Sequence, residues 1–588
     1  MKIEYLGNLE DSCVIVADLV IVGAGPAGLT VASQCARSDK RVLVVESGLE
    51  IETPEHAALN EVESAGEPRS EAQFRKRSEF HGSQARFWSH ESQPFGVRCR
   101  ALGGSTHAWA GKSAPFDPID FQSRPWVPDS GWPVSHADIC PYVERAMEVL
   151  NLCPKVPPGR FEKSDFHSFY WQFARSRIDR LDIMRFGQEI LARKPENMHV
   201  LLDATVTHVG LSSDGSRFSH LNVSSINGRQ ARIEAEICVL AASGIENARL
   251  LLASRDVHPN GIGNQHDVVG RYLIDHAATS LGRFPSDQIS RITRQFGFFG
   301  VRHNSRTHMF MHGLALTPET QRREGLLNAA IYFSTERAPD DPWDALKNLL
   351  RRRSTNVGRD LLSVAAGSGY IARGVGMKIL STERTPRLLK DVIVNTAIRF
   401  SANLVADEFQ NRGLPHKLTG LRMEAICEQA PDPDSRITLS TRRDRFGVPI
   451  PKTEWRINGQ ERETLLRMAE LAHATLSEAG LPAPTLAPWA LERRPEDIVI
   501  IDMAHTLGTT RMSVNPRKGV VDENCKVHDL PNLYIAGGST FPTSGHANPT
   551  LMIVAFAIRL ADHLALELKS QDLSRQGRHN AKDPAAYA

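Results

Sequence analysis

Residues 18–46 carry the pattern that most restricts this fold: the apolar run DLVIV, the loop GAGPAG, the helical stretch LTVASQCA and a second apolar run, RVLVVE. Val, Ile and Leu without alternation are what parallel strands buried on both faces require. A glycine-rich break between such a strand and a helix reads as the first turn of a βαβ unit. In this G-x-G-x-x-G loop Gly23 makes the turn, Gly25 lets backbone approach a pyrophosphate, and Gly28 permits close helix–strand packing. Glu46 ends the second strand 23 residues after Gly23, where its carboxylate can accept from both hydroxyls of a ribose. The pattern predicts a dinucleotide site, the plainer alternative being a glycine turn of structural use. The loop alone does not separate NAD from FAD, which share the adenosine diphosphate half.

With 588 residues, the chain is too long for one compact core and predicts a composite fold. Its 41% hydrophobic and 23% charged residues match a globular protein. Lys and Arg number 70 against 68 Asp and Glu, which gives no global field for nucleic acid or an anionic membrane. The apolar run Leu551–Ile558 is far short of the ~20 residues that span a bilayer, so no transmembrane segment is expected. The start, MKIEYLGNLEDSC, lacks the pattern of a secretion signal, and a cytoplasmic location is expected. Eight cysteines without a C-x-x-C pair point to reduced thiols and no metal site.

The remaining segments predict an α/β (α+β composite) fold. A Rossmann-like nucleotide domain, discontinuous in sequence, occupies 1–275, with excursions at 50–100 and 116–195 over the site. Within it EICVLAA at 236–242 reads as a strand, and SGIENARLLLAS repeats Ile245, Ala248, Leu251 and Leu252 at helical spacing. Residues 276–495 read as mainly a substrate domain with an antiparallel sheet and helices, among them SRITLS and ERETLLRMAELAHATLSEAG. Residues 496–567 return to the nucleotide domain through the strand LYIAGG and the apolar helix after Pro549. A disordered tail is expected over 568–588. The run Arg351–Arg353 reads as a solvated helix face.

Three further constellations carry chemistry. RALGGSTHAWAGK, Arg100–Lys112, places a second glycine turn before hydroxyl residues and a tryptophan, suited to close approach of a planar ring or simply a tight turn. HTLGTTRM opens on His505, and GGSTFPTSGHANPT carries His546 and Asn548. Asn548 before Pro549 is also what an ordinary helix start looks like.

On GAGPAG with Glu46, LGGSTHAWAGK with PFDPIDFQSRPW and SGWP, VLAASGIENARLLLAS, HTLGTTRM, and GGSTFPTSGHANPT, the chain resembles the glucose-methanol-choline (GMC) oxidoreductases, particularly the branch of pyranose oxidases and bacterial sugar dehydrogenases. The likeness runs from about Ala17 to Leu566. It implies an FAD enzyme oxidising an alcohol, a hydroxyl of a sugar, glycoside or aminocyclitol, to a ketone or aldehyde, with oxygen or another electron acceptor as second substrate. The family's catalytic base falls on His505 and its partner on Asn548. His546 matches no catalytic position and is kept as a candidate beside them. FAD contacts are expected from Gly23, Gly25, Pro26, Ala27, Gly28, Glu46, Arg100, Gly103, Gly104, Ser105, Thr106, His107, Trp109, Val206, Ala242, Gly537, Gly538, Asn548, Pro549 and Thr550. Two departures stand out. The S-T-H-W segment, whose histidine bonds covalently to the flavin in similar pyranose oxidases, is S-T-H-A-W here, which puts His107 one residue out of register with Trp109; noncovalent FAD is expected. Gly537 stands where many members have an acid, which shifts that phosphate contact to backbone amides. The family also includes lyases that hold FAD without using its redox chemistry, and members acting on non-sugar alcohols. Neither the acceptor nor the oligomeric state is written in the sequence.

Overall fold

A computed structural model describes residues 1–588 other than 37–39, 67, 83–84, 179–182, 305, 339, 351–353, 355, most of 382–415, and 581–588. The run Arg351–Arg353 therefore lies outside the described residues.

The unbroken apolar runs are parallel strands of one sheet. Its order is Lys2–Tyr5, Met198–Leu202, Val42–Val45, Cys13–Val22, Gln230–Leu240, Phe218–Ser224, Thr205–Leu211. Leu533–Ile535 lies beside the second half of Gln230–Leu240, parallel to it. The strands from Lys2–Tyr5 to Gln230–Leu240 are also parallel, while Phe218–Ser224 and Thr205–Leu211 form an antiparallel extension. Parallel pairing brings the C-terminal ends of four strands, Val22, Val45, Leu240 and Ile535, to one edge. Residues far apart in sequence, Gly23, Glu46, Ala242 and Gly537, thereby become neighbours at the edge where open α/β sheets hold ligands. Helices Pro26–Cys35, Ser243–Ala253 and Thr550–Asn580 follow three of these strands. On Ser243–Ala253, Ile245, Ala248, Leu251 and Leu252 are all buried, as their spacing predicts.

The second sheet is antiparallel, in the order Thr485–Leu486, Ala277–Pro285, Leu418–Cys427, Ala329–Arg337, Arg306–Leu316, Phe166–Phe173, Lys112–Ser113. Phe298–His303 and Ile501–Asp502 attach at its sides. Successive side chains point to opposite faces. On Ala329–Arg337, Ile331 and Phe333 join an apolar cluster under helix Gly459–Glu478, whereas Ala330 and Tyr332 turn toward the nucleotide domain with Phe169 and Trp171. This second face is the ceiling over the strand ends of the first sheet. Two of its strands, Lys112–Ser113 and Phe166–Phe173, come from sequence before residue 276.

The C-terminal helix runs to Asn580, past residue 568 where the tail is expected to begin; residues 581–588 lie outside the described residues. Its last turns, KSQDLSRQGRHN, are mostly ordinary helix formers apart from Gly577. Among the described residues no helix is long and apolar enough to cross a membrane.

Candidate functional site

The glycine loop is built for close approach. Gly23 has φ +102°, and a Cβ there would lie 2.7 Å from the Ala241 carbonyl oxygen; a Cβ on Gly28 would lie 2.0 Å from that of Gly23. A Cβ on Gly25, by contrast, would meet nothing within 4 Å. That space lies before the first turn of helix Pro26–Cys35, where Pro26 takes the first position and free N–H groups with the helix dipole favour an anion. Glu46 is buried and accepts from the Ala24 N–H at 2.8 Å and the Gly48 N–H at 2.9 Å. Burial raises its pKa and these two N–H donors oppose the rise. Ala204 N–H donates to the Glu46 carbonyl, which sets Val206 near the same strand end. Ala242 backs Gly23, and Gly537 faces Ala27 across open space with only the Ala27 Cβ within 4 Å.

The loop 100–109 closes over this edge. Gly103 N–H donates to the Ala24 carbonyl, and Gly104 packs on Gly25. Thr106 Oγ1 donates to the Gly103 carbonyl at 2.6 Å and Trp109 Nε1 to the Met184 carbonyl at 2.7 Å. His107 Nε2 donates to the Leu102 carbonyl at 2.9 Å. Ser105 is exposed. Arg100 is a strut: its guanidinium reaches Ser47, Asn60 and the Leu59 carbonyl, and it joins Arg98 and Arg249 around Glu246.

His505 and Asn548, 43 residues apart, meet: the Asn548 Nδ2 lies 3.3 Å from the His505 Nε2. Asn548 therefore does not cap the following helix with its side chain, whose Oδ1 is buried without a hydrogen-bond partner; the Pro549 carbonyl accepts the Ile553 N–H instead, and the helix begins at Thr550. On its other side the His505 Nδ1 is 2.8 Å from the Nδ1 of His276. The His276 Nε2 faces the Ser544 carbonyl at 3.3 Å. A carbonyl only accepts, so the His276 proton sits on Nε2 and its Nδ1 is an acceptor. His505 then carries its proton on Nδ1 and presents a lone pair at Nε2 toward Asn548. Asp275 holds the turn, accepting from the backbone N–H groups of His276, Met503 and His505 at 2.7, 3.0 and 2.8 Å, while Ala504 between the last two has φ +60°. Burial pushes His276 down to about 3 and, with His276 and Lys112 adding repulsion, His505 well below the usual histidine range. The arrangement presents a neutral base and an amide donor at one point.

His546 lies in the same loop as Asn548, almost fully buried, with its ring edge on Phe169 at 4.4 Å and neither ring nitrogen hydrogen-bonded. The motif PFDPIDFQSRPW cradles this loop: Asp120 holds Asn328 and its carbonyl accepts from Thr543, and Arg124 grips Glu428 through two bonds of 2.7 and 2.6 Å. A Cβ on Gly28 or Gly23 would close the turn, whereas open space before Gly25 and the orphaned polar atoms of Asn548 and His546 suit a bound group with both a phosphate portion and a polar ring. The residues present fit FAD.

Sequence reasoning missed His276, Asp275 and the wall of Phe169, Trp171 and Tyr332. The only signal was an acid–histidine pair at the end of the apolar stretch YLIDH, with no spacing that ties it to His505.

Residues 431–557 match the model of GMC oxidoreductases, and residues 21–51 match that of an NAD(P)-binding Rossmann-like domain. The chain is 23% identical to 2-methyl-1,2-propanediol dehydrogenase of Mycolicibacterium austroafricanum, covering 93% of this chain and 95% of that protein. It is 25% identical to 6'''-hydroxyparomomycin C oxidase of Streptomyces lividus, over 94% and 92% of the two chains. In fold it is similar to pyridoxine 4-oxidase from Mesorbium loti, with a TM-score of 0.53 at 17% identity over 93% and 99% of the two chains. The matched stretch 431–557 includes both His505 and Asn548, and over nearly its whole length the chain is similar to the dehydrogenase and the oxidase named above, so that it resembles the GMC oxidoreductases.

Proposed function

We propose that this protein oxidises a hydroxyl of a sugar, glycoside or related polyol to a ketone or aldehyde, with noncovalent FAD and with His505 as the base. The observation that carries this reading is the hydrogen-bonded series Asn548–His505–His276, which leaves the His505 Nε2 unprotonated beside an amide donor. FAD, when bound, supplies the acceptor for the two electrons that leave the alcohol carbon. The chain supplies the rest. The His505 Nε2 takes the hydroxyl proton, a role that contributes ~10²–10⁴-fold. Asn548 cannot titrate, so its amide orients the same oxygen; an error of ~1 Å there costs ~10²-fold. His276 keeps the His505 proton on Nδ1.

The adenosine half would be held by Glu46, the N–H groups around Gly25 and Pro26, and the backbone at Gly537. The ring end would meet the 103–109 loop and the start of the helix at Thr550. An anaerobic screen of sugars, glycosides, amino sugars and simple diols for loss of the oxidised flavin absorbance tests the reading. Bleaching by a polyol supports it; FAD that stays oxidised with every compound, while the lyase products of a nonredox reaction accumulate, removes it. Admitting oxygen to the bleached enzyme then separates an oxidase from a dehydrogenase.

A further inference from the structure

We propose that Lys112 forms an anion subsite near the His505–Asn548 pair, so that the alcohol oxidised here is a polyol bearing a carboxylate, such as an aldonate or uronate. The inference rests on the alcohol-oxidation reading above and names its substrate class.

Lys112 enters the site on the edge strand Lys112–Ser113, paired with Phe173. Its Nζ lies 4.1 Å from the ring centre of Trp171 and 3.9 Å from that of Tyr332. Trp171 meets Phe169 edge-on at 4.7 Å, and Phe169 meets His546 at 4.4 Å. A continuous aromatic row thus joins the ammonium to the loop that carries Asn548. At its far end the His546 ring has neither nitrogen hydrogen-bonded, although the side chain is almost fully buried. The Asp117 carboxylate is 3.7 Å from its Nδ1, beyond hydrogen-bond reach, and bonds Asn328 instead.

Two aromatic faces favour a cation, while burying an unpaired ammonium works against it more strongly. Burial therefore dominates and pushes the Lys112 amine down to about 7, with no carboxylate among the described residues offsetting it. The acids on neighbouring elements are otherwise engaged. Glu424, opposite Tyr332 in the sheet, faces Ser334 at 3.2 Å and Arg422 at 3.4 Å. His505 and His546 feel the Lys112 charge as repulsion, which helps keep both neutral. A neutral hydroxyl would leave the ammonium uncompensated; a cationic aminocyclitol would be repelled. A carboxylate returns the proton to Nζ and pairs with it, while the one N–H that neutral His546 offers, at the far end of the row, is left for another oxygen of the same polyol.

The test compares two matched pairs, glucitol with gluconate and methyl glucoside with methyl glucosiduronate, in anaerobic titrations of the FAD-loaded enzyme. The carboxylate member should half-saturate the absorbance change at a concentration at least about tenfold lower, the range expected of a charge-assisted hydrogen bond. Lys112→Met should erase the difference with FAD content unchanged, and Lys112→Arg should keep it. Near pH 7 gluconate binding should draw up a fraction of a proton, read with an indicator dye in weak buffer, because burial lowers the amine to about 7 before the carboxylate arrives. Should no compound bleach the flavin, the oxidation reading fails on its own; a gluconate-dependent shift of the flavin spectrum, lost in Lys112→Met, still supports the subsite. Equal response to both members of each pair, or a gluconate response that survives Lys112→Met, overturns it.

Discussion

The Nδ1 atoms of His505 and His276 lie 2.8 Å apart, and only one of them carries a proton. The Ser544 carbonyl decides which, by requiring the N–H of His276 at Nε2. Replacing His276 with Leu removes the acceptor and frees His505 to place its proton on Nε2, where it cannot act as a base. Flavin reduction by substrate should fall by about 10²-fold, the scale seen when an orienting partner of a reactive imidazole is lost. His276→Gln, which retains an acceptor oxygen, should recover part of the rate. Unchanged reduction in His276→Leu at full FAD occupancy would show that His276 does not set the tautomer.

Removing the base itself is the stronger test of the site. His505→Ala should keep FAD but slow anaerobic flavin reduction by ~10²–10⁴-fold, and Asn548→Ala should slow it less, since Asn548 orients and never takes the proton. Both are read in single-turnover experiments, where slow product release does not mask the effect.

The same burial fixes the pH dependence. His505 acts as a base only when neutral, which holds above its pKa, and burial lowers that pKa well below 6.5. The acidic limb of kcat/KM should therefore lie below pH 6.5, and activity should persist at pH values where a solvent-exposed histidine would be protonated. A limb at or above 6.5 in a profile taken with constant FAD occupancy would count against His505 as the base.

The site was legible in the sequence where chemistry is local and lost where it is not. Gly23, Gly25 and Gly28 sit at one junction between a strand and a helix, so the roles expected of them follow from spacing. His505 and Asn548 were found through motifs, and the structure adds that the Asn548 side chain turns toward His505 rather than capping its helix. His276 is 229 residues from His505, and no period in the chain connects them; pairing of Ala277–Pro285 with Ile501–Asp502 and the bridge between Ile274 and Leu507 bring the two together. Strand Phe166–Phe173 was equally hidden. Its residues are buried on both faces in part, so the alternation that marks a half-exposed strand is absent, and its partner strand begins at Arg306.

The knot around Glu246 should govern acid stability. Burial works against its charge, but Arg100, Arg249 and Arg98 overrule this and hold its carboxyl well below the usual range. A depressed carboxylate pKa gives stability that is present above the unfolded value of ~4.3 and lost as pH falls toward the folded one. Glu246→Gln leaves three guanidinium groups partly unpaired in the interior and should cost about 3–5 kcal/mol at pH 7, with a shallower loss on acidification than the parent. Denaturant midpoints from pH 3 to 7 check both parts; equal slopes for the two proteins would place the acid sensitivity elsewhere.

The glycine loop offers a separation of folding from cofactor binding. A Cβ at Gly28 would stand 2.0 Å from a backbone oxygen, so Gly28→Ala must shift the turn and should destabilise the apoprotein as well as lose FAD. A Cβ at Gly25 would meet no protein atom within 4 Å, and its φ of −80° suits any residue. Gly25→Ala should therefore fold with an unchanged melting temperature as apoprotein, because nothing in the chain occupies that space. What should suffer is FAD, whose pyrophosphate would need the same volume before the first turn of Pro26–Cys35. The expected result is at least a tenfold weaker FAD affinity by fluorescence titration, with the apoprotein's circular dichroism intact. Equal affinity in Gly25→Ala and the parent would mean that the pyrophosphate does not pass this loop, whatever its sequence resembles.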